Sequence, residues 1–571
     1  MRAMRLVQTV SLMVMDYKAA SFRDKYLPKS SNDVERMRLE GERNRCQQEL
    51  QAAQIAYTTE DKGELREGMT RKDIILLQRD AVHDAADRMA NAEEQLQTHL
   101  QEEEKANGRN SNVHYKAADR LLSLCQVNGG AYIKIGQHLA NLDYLIPVEY
   151  INTLSTLFNA APRSAFELVK QVIQEELGTS PGQMFDSFAE EPLASASLAQ
   201  VHVAYDKETG RKLAIKVQHS GLRETSAGDV AAITFVVRLL ERWFPEDFSF
   251  GWIADELAPQ LAKELDFQME GRNAERATRE LKRVGLADRV IIPRVLWKHT
   301  TSRVLTMEFE EGFPSTDVDA IDKAGLKRRD VAKLVSSVFN AQVFLSAFVH
   351  CDPHPANVLI RRSKRGDKPE MVLVDHGLYK QIDNNFRLDY ARLWQSLMLA
   401  DLKGIKASCS ALGVDEMYTL LAAMLTSRPY DEIMERAKTG QLVSSNASVS
   451  GKSSADKAMI QGYAQQFLQE IMEILGTLPR QMLLLLKMND CLRHIDYALG
   501  SPTNTLVVAG RYASLALRED KMVNGSVWDR LHALVDYMRI LMRIYAHDYV
   551  IWWTTTVPGS TGRQTKSVDF L

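Results

Sequence analysis

The run His350-Cys351-Asp352-Pro353-His354-Pro355-Ala356-Asn357 sets a carboxylate and a carboxamide five positions apart, with two prolines stiffening the backbone between them. An acid so placed can accept the proton of an attacking hydroxyl, and an amide oxygen can hold a magnesium ion. That is the division of labour in the H-x-D-x-x-x-x-N catalytic loop of kinases. Asp375 follows Asn357 by 18 residues, at the end of the apolar run Val372-Leu373-Val374, and leads into His376-Gly377. This matches the D-x-G pattern with His in place of Phe, and makes Asp375 the second magnesium ligand. In phosphoryl transfer the transition state is stabilised mainly by charge and position, so oxygen donors around Mg2+ carry much of the chemistry.

These groups need strands and helices to aim them. Upstream, Leu213-Ala214-Ile215-Lys216-Val217 matches the V-A-I-K strand, whose lysine contacts the nucleotide phosphates. Strand alternation puts Ala214 and Lys216 on one face and Ile215 and Val217 on the other. A partly buried lysine needs a carboxylate, and the helical stretch from Lys263 supplies Glu270 as first candidate and Glu264 as reserve. Thr306-Met307-Glu308-Phe309, ending a strand, is the expected hinge that binds adenine through its backbone.

The surrounding pattern is mixed. Ala117 to Cys125 reads as helix, Gly129-Gly130 breaks it, and a second helix carries Lys134-Ile135-Gly136-Gln137. A third opens on the capping box Ser164-Ala165-Phe166-Glu167 and ends at Gly178. Leu198–Tyr205 and Lys212–Gln218 flank the turn Asp206–Gly210 and read as a hairpin. Helical patterns fill 226 to 284, strands are expected at Val290–Trp297 and Arg303–Phe309, and a hairpin spans 357 to 375. A small mixed sheet followed by helices implies a two-lobed α+β architecture. Six segments are expected: 1–32 a targeting or anchor segment, 33–114 a charged helical arm, and 115–190 a helical extension carrying the K-x-G-Q motif. After these come a kinase-like N-lobe at 191–312, a C-lobe at 313–440 and a helical C-terminal region at 441–571.

Two features of ordinary protein kinases are missing. No G-x-G-x-x-G precedes Lys216; Ala194-Ser195-Ala196-Ser197-Leu198-Ala199 stands there instead. Alanine does not reach the positive-φ conformations open to glycine, so a phosphate-covering loop built on it is differently shaped and stiffer. No A-P-E sequence follows Asp375, and the chain enters a helix from about Asn384 to Leu399. The platform for a peptide substrate is therefore absent from the pattern, which weakens a serine/threonine protein kinase reading.

The lysine motif at 134, the alanine-rich loop, Glu264-Leu265-Asp266, the catalytic run and Asp375-His376-Gly377 together resemble the UbiB/AarF-domain atypical kinases. Asp375-His376-Gly377-Leu378-Tyr379, Leu393-Trp394-Gln395-Ser396 and Leu478-Pro479-Arg480-Gln481-Met482-Leu483 bring it closest to a mitochondrial branch of that family. The resemblance spans roughly residues 115 to 515. It implies an N-terminal helical extension over the active site, with Lys134 and Gln137 directed at the nucleotide region near Glu264 and Asp266. It also implies binding of ATP or ADP with Mg2+, ATPase-type activity, inner-membrane association in mitochondria and a link to coenzyme Q or other lipids. Ala194 stands where the branch carries glycine, which bears on nucleotide preference.

Bulk properties exclude several rivals. The 571 residues carry 71 basic and 74 acidic side chains, a net charge of −3, so no global field draws the chain to nucleic acid. Five scattered cysteines show no zinc or redox spacing and read as free thiols. No run is long and apolar enough to span a bilayer. Leu6–Met15 is too short, Met482–Met488 is interrupted by Lys487, and Leu534–Trp553 is charged. That last stretch reads either as a helix docked on the core or as one lying on a membrane surface. Ile75, Val82, Met89 and Leu96 recur every seven residues, with Ala85 and Ala92 at the complementary positions, and suit either a coiled coil or antiparallel arm, or a solvated helix with no partner. Self-association through residues 70–100 is the corresponding expectation. The functional expectation is a Mg-nucleotide phosphotransferase or ATPase acting on a lipid or quinone-like molecule, against a nucleotide-switched pseudokinase that binds lipid or a membrane partner.

Overall fold

The computed structural model describes residues 1–26, 31–58, parts of 81–99, 113–140, 147–158, 163–243, 263–399, 401–414, 418–426, 479–500 and 505–556. These residues form two compact units, one drawn from 1–210 and 214–265, the other from 211–213, 266–449 and 473–571.

The first unit combines helices with a small sheet. Its helices are α1 (Arg2–Tyr26), α2 (Ser31–Thr58), α3 (Val113–Asn128), α4 (Ala131–Ala140), α5 (Val148–Leu154), α6 (Phe166–Leu177) and α7 (Leu222–Trp243). Gly129 and Gly130, both at positive φ, turn the chain between α3 and α4, where L side chains are disfavoured. Leu6 of α1 packs with Leu124, Ile133, Leu154, Leu157 and Val236 in one apolar cluster. Arg2 forks onto the Asp229 carboxylate at 2.8 and 2.5 Å, and Lys116 and Arg120 both reach Asp16 at 2.8 Å. The segment expected to be a targeting or anchor piece is thus helix α1, with one end in this core. In the arm, Leu50 of α2 is buried with Ala85, Met89 and Ala90, and Arg88 pairs with Glu49. Ala85 and Met89 therefore bury against this chain's own helix, and Ala92 and Leu96 are buried as well; Ile75 and Val82 lie outside the described residues.

The sheet of this unit places β1 (Phe185–Phe188) beside β3 (Ala199–Asp206), which pairs in turn with β4 (Lys212–Gln218). The two-residue β2 (Ala194–Ser195) pairs back onto β3 in the register Ala194↔Val201 and Ser195↔Gln200. In β4 the exposure alternates, with Leu213, Ile215 and Val217 buried and Ala214 and Lys216 on the more open face, as its pattern demands.

Two sequence expectations need correction here. Helix α6 starts at an Ala165 N-cap with no side-chain cap bond, and the Ser164 hydroxyl instead bonds the His219 ring at 2.7 Å. The strand expected over Val290–Trp297 shrinks to Val290–Ile291, and Trp297 opens a short 3-10 turn. Pro293 has no amide hydrogen for a ladder, so pairing stops before it.

The second unit holds α8 (Phe267–Arg283), β5 (Val290–Ile291), β6 (Val304–Glu308), β7 (Phe313–Pro314) and α9 (Arg328–Ala341). It continues with β8 (Phe348–His350), β9 (Val358–Arg362), β10 (Pro369–Leu373) and β11 (Tyr379–Gln381), then α10 (Asn384–Leu399), α11 (Leu402–Ala411) and α12 (Tyr418–Thr426). Three long helices complete it: α13 (Arg480–Ala498), α14 (Thr505–Asn524) and α15 (Val527–Thr556). One sheet runs β5-β10-β9-β7, with β10 parallel to β5 and antiparallel to β9; β11 and β8 form a second, antiparallel pair. Phe339, Val338 and Leu334 of α9, Ile360 and Met371 of the sheet, Tyr390 and Leu393 of α10 and Leu485 of α13 belong to one buried cluster. Burying each such side chain contributes about 1.5 to 3 kcal/mol, so the sheet edge carrying the chemistry is firmly backed.

Acid sensitivity is built into the first unit. His202 is fully buried; its Nδ1 donates to the Ala189 carbonyl at 2.8 Å and its Nε2 accepts from the Gln200 amide at 2.8 Å. Burial holds its pKa, and that of His219, below the ordinary value of 6.5. The folded rings stay neutral while unfolded histidine takes up a proton, so the stability they supply is complete above about pH 6.5 and drains away as the pH falls below it. Each ring contributes at most about 1.4 kcal/mol per pH unit in that window. Thermal unfolding from pH 7 to 5.5 is expected to show a falling midpoint, and His202→Gln should flatten the curve. An unchanged slope in that variant would assign the acid sensitivity elsewhere.

Candidate active site

Strand β8 delivers the catalytic run. It is launched by a π-helical turn, Gln342–Ser346, and by Ala347, a non-glycine residue held at φ 57. Such a conformation costs on the order of 1 kcal/mol and persists only where its surroundings enforce it. The Gln342 side-chain oxygen accepts the His350 amide at 3.0 Å, and the Ile382 amide bonds the Ala347 carbonyl at 2.8 Å.

His350 then ties the site together. Fully buried, its Nδ1 accepts the Asp352 amide at 3.1 Å, so Nε2 carries the proton and donates to the Asp375 carbonyl at 2.9 Å. Burial is the main force holding its pKa below the usual range, which suits the neutral tautomer this geometry requires. The loop closes tightly: the His354 amide bonds the Asp352 carbonyl and the Asn357 amide bonds the His354 carbonyl, both at 2.8 Å. Asn357 Nδ2 donates to the Asp352 carbonyl at 3.3 Å, and the Asn357 carbonyl accepts the Val374 amide at 3.2 Å. Asp352, Asn357 and Asp375 are therefore joined by a continuous set of short bonds.

The donor chemistry fits magnesium. Asn357 bonds the loop through Nδ2, and its carboxamide oxygen is a hard donor. Asp375 Oδ1 accepts the Gly377 amide at 3.1 Å, a turn that fixes the carboxylate. Carboxylate and amide oxygens are the ligands that hard divalent cations take. Asn357 and Asp375 would hold the ion, which supplies charge neutralisation at the bridging phosphates.

His376, at the D-x-G midpoint, is buried for structural reasons. Its Nε2 donates to the Leu373 carbonyl at 3.1 Å, and its Nδ1 accepts the Tyr379 hydroxyl at 3.0 Å. Helix α8 grips the same residue from both sides: Glu270 Oε1 accepts its amide at 3.3 Å, and Asn273 donates to its carbonyl at 3.0 Å. Glu270, expected to serve Lys216, anchors the residue that follows Asp375. Asp266 caps α8 by accepting the Gln268 amide and reaches Arg272 at 3.5 Å. Cys351 lies between catalytic residues, yet burial pushes its thiol up to about 12, which leaves it unreactive.

In the first unit, Lys134 Nζ sits 2.9 Å from Glu264, whose side chain is only 9% exposed. Gln137 turns away and donates to the Leu157 carbonyl at 3.0 Å. That bond ties the side chain to the helical extension. Gly136 between them has a packing reason, because a Cβ there would meet Leu157 at 2.5 Å and Cys125 at 3.0 Å.

The alanine-rich segment is clamped. The Ala196 amide bonds the Ala199 carbonyl at 2.8 Å, and His219 holds the same turn through its amide to the Leu198 carbonyl and its Nε2 to the Ala196 carbonyl. Ser197 is buried. The stiffness expected from Ala194, Ser195, Ala196 and Ser197 has a physical cause in His219, which sequence reasoning did not single out.

The hinge expectation changes too. The Glu308 amide bonds the Arg294 carbonyl at 2.9 Å and the Phe309 amide bonds the Lys212 carbonyl at 3.0 Å, so neither is a donor for a base. Arg211 pairs with Glu308 at 2.7 Å, and Lys212 lies 3.8 Å from the Phe309 ring centre. Met307 is buried in β6. A second residue missed from sequence is Lys487 of α13, whose ammonium stands 3.2 Å from Asp352 Oδ1.

The H-x-D-x-x-x-x-N run and the Asp375-His376-Gly377 turn held in this relation, without a glycine-rich loop, make the protein an atypical member of the kinase-like class, α+β in design. Residues 156–409 match the family described as the ABC1 atypical kinase-like domain. The chain is 40% identical over 426 residues to AarF domain-containing protein kinase 1 of Xenopus tropicalis, covering 74% of this chain and 78% of that one. It is 39% identical over 446 residues to the Mus musculus protein of the same name, covering 78% and 82% of the two chains. AarF domain-containing kinase 1 of Drosophila melanogaster matches at 38% over 390 residues, covering 68% and 72%. The chain belongs to the ABC1, or AarF-domain, atypical kinase-like family.

Proposed function

We propose that this protein binds Mg-ATP or Mg-ADP and acts as an ATPase or phosphotransferase in mitochondrial lipid or coenzyme Q homeostasis, with a lipid or quinone-like molecule as its small-molecule partner. The observation that carries the reading is that the His350 ring ties the backbone of Asp352 to that of Asp375, while the Asn357 side chain bonds the Asp352 carbonyl. Groups fixed in this way need no reorganisation when the reaction begins, which is where electrostatic catalysis gains most. Asp352 would orient and deprotonate the attacking water or hydroxyl, and Lys216 would contact the phosphates. Asn357 and Asp375 would hold the cation that neutralises the phosphate charge.

A membrane surface as workplace is supported by α15. Ile540 and Ile544 of that helix pack with Met398 and Val507, while Trp528, Leu531, Val535, Met538, Met542 and Tyr545 stay exposed along it. An apolar stripe of this kind suits an interfacial helix, and among the described residues no helix is long and apolar enough to cross a bilayer.

Phosphate release from Mg-ATP, measured with and without anionic liposomes, tests the proposal. Turnover that rises on liposomes is the expected result. Tight nucleotide binding with no release under either condition would replace the enzyme by a nucleotide-switched pseudokinase.

A further inference from the structure

Helix α13 is apolar where it meets the core, with Met482, Leu485, Met488 and Ile495 buried, and Lys487 breaks that run. A lysine in such a setting needs an opposite charge close by. Here its Nζ reaches Asp352 Oδ1 at 3.2 Å, across 135 residues of sequence, with the two side chains 30% and 28% exposed. Within the loop Pro353, His354, Pro355 and Ala356 fill the gap to Asn357, and His354 Nδ1 accepts the Ala356 amide. The thiols nearest this pair, Cys351 and Cys491, are both pushed up to about 12 by burial and stay uncharged.

We infer that Lys487 is a positioning residue of the active site: it fixes the Asp352 carboxylate and offsets its charge where the terminal phosphate of ATP arrives. The inference rests on the nucleotide reading above and adds a C-terminal helix to the site. A bare carboxylate beside a triphosphate repels it, and repulsion in a partly desolvated cleft is much stronger than in water. An ammonium within hydrogen-bond distance of that carboxylate removes most of the penalty. It also restrains the acid in the orientation that in-line attack requires.

The test is a double-mutant cycle on the full chain, reading Mg-ATP and Mg-ADP affinity by calorimetry and turnover by phosphate release. Lys487→Met is expected to weaken Mg-ATP about tenfold and Mg-ADP by much less, and to lower kcat further than KM changes. Lys487→Arg should restore both. In an Asp352→Asn background, Lys487→Met should alter Mg-ATP affinity less than twofold, because the charge it offsets has gone. A loss of equal size in both backgrounds, or none in either, overturns the inference while leaving the nucleotide reading intact. A wild-type chain that binds no nucleotide overturns both. One that binds Mg-ATP but never releases phosphate ends the enzymatic reading alone, since the affinity cycle still decides on Lys487.

Discussion

Asp375→Asn is expected to abolish stabilisation by magnesium nucleotide, while Asp352→Asn keeps that stabilisation and loses turnover. The two substitutions remove the same charge and nearly the same shape, so the contrast isolates role. At 375 an asparagine oxygen still accepts the Gly377 amide, and the turn survives. What disappears is one anionic ligand for a hard cation, and with it the bridge to the phosphates. At 352 the side chain holds no metal ion in this reading; it accepts a proton and pairs with Lys487. Losing a positioned general base typically slows the chemical step by about 10^2 to 10^4. Thermal denaturation with and without Mg-ATP, beside phosphate release, separates the outcomes. If nucleotide stabilised Asp375→Asn as much as wild type, the metal assignment would fail.

Local elements were legible where local physics decides them. The helix expected from Asn384 to Leu399 has those ends, and the hairpins at 198–218 and 357–375 form with short shifts at their ends. Apolar periodicity and turn residues suffice for such pieces. Tertiary choices overrode the local signals elsewhere. Ser164 had the sequence of a cap, but an imidazole 55 residues away offered a shorter bond. The amides of Glu308 and Phe309, in the stretch expected to bind adenine through its backbone, are taken by carbonyls of Arg294 and Lys212. Lys487 left one trace, a charge inside an apolar run, and nothing local tells which acid it faces. The chemistry of Asp352, Asn357 and Asp375 was visible as spacing; the ring that joins them was not, because a histidine's two nitrogens declare their partners only in three dimensions.

That ring gives the second large prediction. His350→Leu preserves bulk but leaves the Asp352 amide and the Asp375 carbonyl without the imidazole that now serves both. A buried polar group that loses its partner costs about 1 to 3 kcal/mol, so the pair should cost about 2 to 6 kcal/mol. Urea unfolding is expected to show a lower midpoint with an unchanged slope, since the surface exposed on unfolding stays the same. Magnesium nucleotide should also bind less well, because the loop and the metal aspartate lose their common strut. His350→Gln should recover part of both losses, as an amide can accept from one backbone group and donate to the other. A leucine variant destabilised by less than about 1 kcal/mol would show that the two loops hold each other without the ring. The catalytic geometry would then depend on the Asn357 bonds alone, and a site fixed at one point tolerates far more misplacement of its acid than one fixed at two.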